Sequence, residues 1–231
     1  MRRITCSELL DEDRGTRREI RDSLDDLWRI NRWLGGVSAS LRLLEDFFLR
    51  AGVHPLRVLD VGGGDSRMAG ELQRELLKRG FETEFTVLDR RLGHLRNGHK
   101  PAGELQPVVA DALALPFADG SFNVVMCNLF FHHFSDEPAK QLLYGMAAIA
   151  SEAVIINDLE RHRLPYLFIR CAPWFARSPI TRHDAPASVR QAYTRSELAA
   201  LAAAAGFTDF DVRRLMPFRL GLTLWTNPPH N

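Results

Sequence analysis

Four aspartates in this sequence, Asp60, Asp89, Asp111 and Asp158, and a histidine pair, His132-His133, each stand at or just beyond the end of a short apolar run. A carboxylate so placed accepts hydrogen bonds from vicinal hydroxyls or faces a cation. An imidazole there takes up or releases a proton near neutral pH. Directly after Asp60 comes Val61-Gly62-Gly63-Gly64-Asp65-Ser66. Glycine lacks a Cβ, so the turn can adopt positive φ and let a ligand approach the backbone. The free N–H groups of a helix starting at Ser66 favour a polar or anionic group. Acids, glycines and histidines together describe a ligand cradle.

The elements that position these residues alternate. Apolar runs at 57–61, 84–88, 106–109, 121–128 and 152–156 read as strands, with helical spacing at 66–79 and 136–150 between them. A helix capped by Thr194 follows at 195–205, and strands at 209–215 and 220–226 complete the set. This order predicts an α/β fold: a Rossmann-like, doubly wound, mostly parallel seven-stranded sheet with helices on both faces. Right-handed crossovers bring the C-terminal ends of the parallel strands to one rim, where open α/β sheets bind ligands. Ahead of the first strand, helices are expected at 16–34 and, with Ser38 as N-cap, at 41–49. The chain thus divides into an N-terminal helical cap, 1–52, and a core, 53–231, with an arginine-rich and aromatic insertion at about 159–193.

Composition narrows the partners. The 231 residues carry 45% hydrophobic and 26% charged side chains, an ordinary globular balance. A net charge of +1 gives no reason to expect nucleic acid as a partner. Cys6, Cys127 and Cys171 form no metal-binding spacing, so no metal is expected, and reduced thiols fit a cytoplasmic setting. No apolar run is long enough for membrane insertion. A small-molecule partner and a monomer or homodimer are the expectation.

The glycine turn alone leaves the ligand open. A dinucleotide fingerprint places a third glycine where Arg67 stands, which disfavours a pyrophosphate. Asp89 suits the two ribose hydroxyls that dinucleotides and S-adenosylmethionine share. The stretch Val109-Ala110-Asp111-Ala112-Leu113-Ala114-Leu115-Pro116-Phe117-Ala118-Asp119-Gly120-Ser121-Phe122-Asn123-Val124-Val125 discriminates. It resembles the central signature of class I S-adenosylmethionine-dependent methyltransferases, in the small-molecule branch that includes the ubiquinone and menaquinone biosynthesis enzymes. The resemblance runs from Arg57 to Asp158. It implies that Asp60, Gly62, Gly63 and Gly64 receive the methionine part of S-adenosylmethionine and that Asp89, with Arg90 beside it, receives the ribose. Asp111 and the backbone of Ala112 would meet the adenine, and Asn128 and Leu129 would lie beside the sulfonium. Two departures stand out: Ser66 replaces a usual glycine and Asn123 a usual acid.

Methyl transfer from a sulfonium is an in-line displacement, which requires alignment and exclusion of water. A phenol also benefits from a base. His133 and Asp158, on the ligand rim, are the catalytic candidates; packing or capping is their structural alternative. Trp33, His132, Tyr166, Arg170 and His183 are the candidate acceptor contacts. Trp33 would act on a lid, and Tyr166, Phe168, Trp174 and Phe175 would supply apolar walls. The expected reaction is O-methylation of a phenolic, enolic or polyketide-like metabolite. C-methylation of a quinone-type ring, RNA or protein methylation, and a non-catalytic partner subunit are its rivals.

Overall fold

The computed structural model describes residues 1–52, 55–97, 105–171, 174 and 176–226. Phe175, expected as an apolar wall, lies outside the described residues. Seven strands form one sheet in the order β3-β2-β1-β4-β5-β7-β6. The parallel part comprises β1 (Leu56–Val61), β2 (Thr83–Asp89), β3 (Gln106–Val109), β4 (Phe122–Asn128) and β5 (Ala150–Leu159). β6 (Phe210–Leu215) and β7 (Arg219–Trp225) form a hairpin, and β7 runs antiparallel to β5. The mostly parallel doubly wound sheet expected from sequence is therefore present. Chain order reverses between β1 and β4, and this switch point opens the crevice in which a ligand can sit.

One face of the sheet carries α2 (Gly36–Ala51), α3 (Arg67–Lys78) and the short α4 (Leu92–Asn97), while α1 (Arg17–Trp33) packs on α2, α3 and a later helix. α1 begins with a reciprocal cap between Thr16 and Glu19. α2 starts five residues earlier than its sequence spacing indicates. Gly35 takes left-handed φ and N-caps the helix, while the Ser38 side chain bonds back to the Gly35 carbonyl at 3.1 Å. Leu43, Leu44 and Phe47 of α2 are fully buried against β1, β4 and β5. α2 is thus core, and only α1 and the segment before it lie over the rim. Truncating a side chain as buried as Phe47 to alanine costs about 3–5 kcal/mol.

The opposite core collects α5 (Asp136–Ile149) and α8 (Arg195–Ala204) beneath β4, β5 and β7. The stretch between β5 and α8, expected as an insertion, folds into α6 (Arg163–Cys171) and α7 (Pro179–Gln191). α7 packs on α1, where Ser178 and Thr181 bond Asp26 and Ser23. These two helices roof the rim. Among the described residues no helix is long and apolar enough to cross a membrane.

Candidate active site

The turn after β1 is built for close approach. Gly62 and Gly64 have φ of 71° and 57°, and the N–H groups of Gly62 and Gly63 both donate to the Leu88 carbonyl. A Cβ on Gly62 would come within 2.5 Å of the Phe130 ring, and one on Gly63 within 2.4 Å of Val87. Ser66, in the place of a usual glycine, takes the same left-handed conformation, with φ of 65°. The Gly64 N–H donates to one carboxylate oxygen of Asp89 at 3.0 Å. The other oxygen accepts from the Arg91 N–H at 2.8 Å and lies 3.5 Å from His94 Nδ1. Burial would lower the His94 pKa, but Asp89 and Asp13 outweigh it and hold the imidazole above its usual range.

Beneath this turn Asp60 is wholly buried. Its Oδ1 accepts from Asn128 Nδ2 at 3.2 Å, while Oδ2 has no partner among the described residues. Burial raises the carboxyl pKa to about 7; the Asn128 bond opposes this, and the neighbouring charge of Asp89 adds to it. Asn128 also accepts from Ser40 and Asn157, and Asn157 donates to the Gly36 carbonyl at 3.0 Å. A polar chain thus pins the ends of β1, β4 and β5 to the start of α2.

Above these residues lies a cavity of about 1180 Å³. Gly62, Gly64, Asp89 and Arg90 line it on one side, with Asp111, Ala112 and Leu129 continuing the wall. Asp60, Gly63 and Asn128 stand behind that wall and shape it. The Asp111 side chain accepts from the Leu113 N–H at 2.9 Å, which fixes the turn after β3.

The other half of the cavity is organised by the short 3₁₀ helix Phe131–His133 after β4. Asp158 pairs with His132 rather than with His133: its Oδ1 lies 2.7 Å from His132 Nδ1, and its Oδ2 accepts the His132 main-chain N–H at 2.8 Å. Arg161, three residues beyond Asp158, does not join the pair and bonds the carbonyls of Met1 and Ala192 and the carboxylate of Glu197. Burial alone would depress the His132 pKa, but Asp158 and Glu8 reverse this and raise it to about 10. His133 Nδ1 lies 2.5 Å from Asp11. Glu8 accepts from Ser188 and Gln191, and burial, which would raise its pKa, is overcome by the two histidines and the Ser188 bond, bringing it to about 2.

Arg219, at the start of β7, is buried on the same cavity wall. Its Nε donates to the Leu34 carbonyl and its Nη2 to Asn31, while Nη1 has no partner among the described residues. Burial lowers its pKa to about 10, although the charge of Asp158 opposes this.

Of the expected acceptor contacts, His132, Arg170 and His183 line the cavity. Trp33 does not: 74% of it is exposed, because α1 turns its other face to α7 and the rim. Tyr166 is also absent from the lining; its helix presents Pro165, Phe168 and Ile169 to the cavity instead. Trp174 is exposed and forms no wall. His183 and Asp184 are bonded at 2.8 Å, and Asp184 also accepts the N–H groups of Leu9 and Leu10. Glu8, Asp11 and Arg219 were not legible in sequence, since each meets its neighbours across about eighty residues or more and belongs to no local pattern.

The glycine turn, the acid on each of the two following strand ends and the 3-2-1-4-5-7-6 sheet coincide with a family match. Residues 58–152 match the family described as a methyltransferase domain. Over that stretch the chain is similar to a methyltransferase domain. A ubiquinone/menaquinone biosynthesis C-methyltransferase from Dinoroseobacter shibae is 42% identical over 74 residues, covering 29% of this chain and 28% of that protein. The matched stretches span 23% to 47% of the length of such curated relatives. A methyltransferase from Aquifex aeolicus has the same fold, with a TM-score of 0.63 at 16% identity over 92% of this chain and 100% of that one. So does the plantazolicin methyltransferase BpumL in complex with S-adenosylhomocysteine, with a TM-score of 0.66 at 14% identity over 91% and 97% of the two chains. The residues of the cavity fit S-adenosylmethionine: Gly62 and Gly63 leave no room for side chains, and the buried Oδ2 of Asp60 has no hydrogen-bond partner among the described residues.

Proposed function

We propose that this chain transfers the methyl group of S-adenosylmethionine to a hydroxyl of a phenolic, enolic or polyketide-like small molecule. The observation that carries this reading is one continuous cavity, with the glycine turn, Asp89 and Asp111 at one end and His132, His133 and Arg219 at the other. Its volume of about 1180 Å³ exceeds the range common for a single ligand, roughly 300–1,000 Å³. Donor and acceptor fit in it together.

When bound, the cofactor supplies an electrophilic methyl on a sulfonium. Asp89 accepts hydrogen bonds from the ribose hydroxyls, and Asp111 with the Ala112 backbone meets the adenine edge. Asp60 places a titratable carboxyl under the methionine part, and Leu129 and Phe130 wall the sulfonium side. At the other end Leu164, Pro165 and Phe168 exclude water from the acceptor. Arg219 Nη1 is the donor for an acceptor oxygen that carries developing negative charge, at the end of the cavity that His132 and His133 also line. Asp158 is a positioning residue that fixes the His132 ring. Similarity to a quinone C-methyltransferase supports a second reading, methylation of an activated ring carbon in the same cavity.

Calorimetry with S-adenosylhomocysteine, followed by a screen of phenolic and polyketide acceptors with labelled cofactor, tests the assignment. Micromolar binding and a labelled methyl ether are expected. No binding at high micromolar concentration would sink it.

A further inference from the structure

His132 and His133 both turn Nε2 toward the carboxylate of Glu8. His132 Nε2 is 3.5 Å from Glu8 Oε1, and His133 Nε2 is 3.6 Å from Glu8 Oε2. Neither approach is a good hydrogen bond, and the buried His132 Nε2 has no partner among the described residues. One ligand atom from each of the three residues lies within 4.8 Å of the others. The opposite side of each ring is already engaged, His132 Nδ1 by Asp158 at 2.7 Å and His133 Nδ1 by Asp11 at 2.5 Å. This is how metal-ligating histidines are oriented: a carboxylate accepts the Nδ1–H, fixes the tautomer and aims Nε2 at the ion, which displaces any proton held there.

We propose that Glu8, His132 and His133 bind one divalent first-row transition-metal ion of the zinc type at the acceptor end of the cavity. Metal bonds of about 2.0–2.2 Å place neighbouring ligands of a tetrahedral ion roughly 3.3–3.5 Å apart; His133 Nε2 and Glu8 Oε2 stand 3.6 Å apart, and one ligand atom from each of the three residues lies within 4.8 Å of the others. Glu8 is suited to the part. Its Oε1 accepts from Ser188 at 2.6 Å and Gln191 at 3.0 Å, which orients the carboxylate and leaves Oε2 for the ion. Three carboxylates, Glu8, Asp11 and Asp158, surround the two imidazoles, so a dication reduces rather than adds to the net charge of the cluster. Three protein ligands leave a fourth position, and all three residues border the cavity. That is the arrangement of catalytic rather than structural sites. Resting on the proposed reaction, the role assigned to the ion is that of a Lewis acid: it binds the acceptor hydroxyl oxygen, whose proton leaves to water.

The full chain, stripped with a chelator and dialysed, is titrated with zinc chloride by calorimetry, then with cobalt(II) followed by visible absorption. One ion per chain at micromolar or tighter affinity and the absorption of low-symmetry four-coordinate cobalt are expected. Glu8→Gln and His133→Ala are each expected to weaken binding at least tenfold, with folding checked by circular dichroism. No stoichiometric binding, or affinity unchanged in both folded variants, would overturn the site. S-adenosylhomocysteine binding is measured on the same metal-free protein. If the cofactor binds and zinc does not, the metal proposal fails and the methyltransferase reading stands. If zinc binds and the cofactor does not, the ion's proposed role falls while the site remains.

Discussion

Asp158 accepts two hydrogen bonds from a single residue, the main-chain N–H of His132 at 2.8 Å and its ring Nδ1 at 2.7 Å. The two bonds fix both where the 3₁₀ turn begins and how the imidazole is rotated. Because Asp158 ends β5 and His132 follows β4, the pair also ties two central strands together on the ligand rim.

Asp158→Asn should therefore separate positioning from binding. An amide accepts from only one of the two donors, and buried hydrogen bonds of this kind contribute about 1–3 kcal/mol. We expect kcat to fall roughly 10–100-fold, with the Kd for S-adenosylhomocysteine unchanged because Asp158 stands at the acceptor end. Equal losses in cofactor affinity and kcat would show a merely structural role.

Asp89→Ala removes the partner of the Gly64 and Arg91 N–H groups as well as the expected ribose acceptor. Losing charge-assisted hydrogen bonds of about 2 kcal/mol corresponds to roughly thirtyfold weaker cofactor binding. Calorimetry reads this directly. An unchanged Kd would refute the ribose assignment.

Asp60 makes cofactor binding depend on pH. Its folded pKa is raised to about 7, so below that value the buried carboxyl holds a proton. A cationic ligand over the turn favours the carboxylate and so expels that proton. Affinity then improves with rising pH, up to about tenfold per unit below pH 7, and levels off above it. For folding without ligand the sign is opposite: stability contributed by the protonated carboxyl is lost as pH climbs from about 4 to about 7. Calorimetry at pH 6 in buffers of different ionisation enthalpy should show proton release. A pH-independent Kd between 5.5 and 7 would exclude this coupling.

Ser66 occupies left-handed backbone with φ of 65°, where a side chain costs about 1 kcal/mol or more. Ser66→Gly should relieve this and raise the melting temperature by roughly 2–4 °C. A lower melting temperature would mean that the hydroxyl contributes more than the strain costs.

The parallel sheet, the glycine turn and the acids at strand ends were legible because each is written locally, as apolar runs punctuated by glycine and aspartate. Gly62, Asp89 and Asp111 consequently lie where their spacing indicates. The start of α2 was obscured because glycine, not the serine three residues on, caps it. Trp33 and Tyr166 were singled out by residue type, but type does not reveal which face of a helix meets a cavity. The cluster of Glu8, Asp11, His132 and His133 is purely tertiary. An acid near one end of a chain carries no local mark of the histidines it will meet beyond residue 130.

The segment before α1 is sewn to parts of the chain made much later. Arg3 bonds the carbonyls of Phe134 and Gln191, and Leu9 and Leu10 bond Asp184. During synthesis these residues emerge long before their partners and must wait, unplaced, while the residues between are added. The five parallel strands and the glycine turn are complete in sequence well before the hairpin closes, so the donor end can assemble first. The acceptor end matures only when the segment before α1 docks against helices made much later, which makes reaction competence a late event in the life of each molecule.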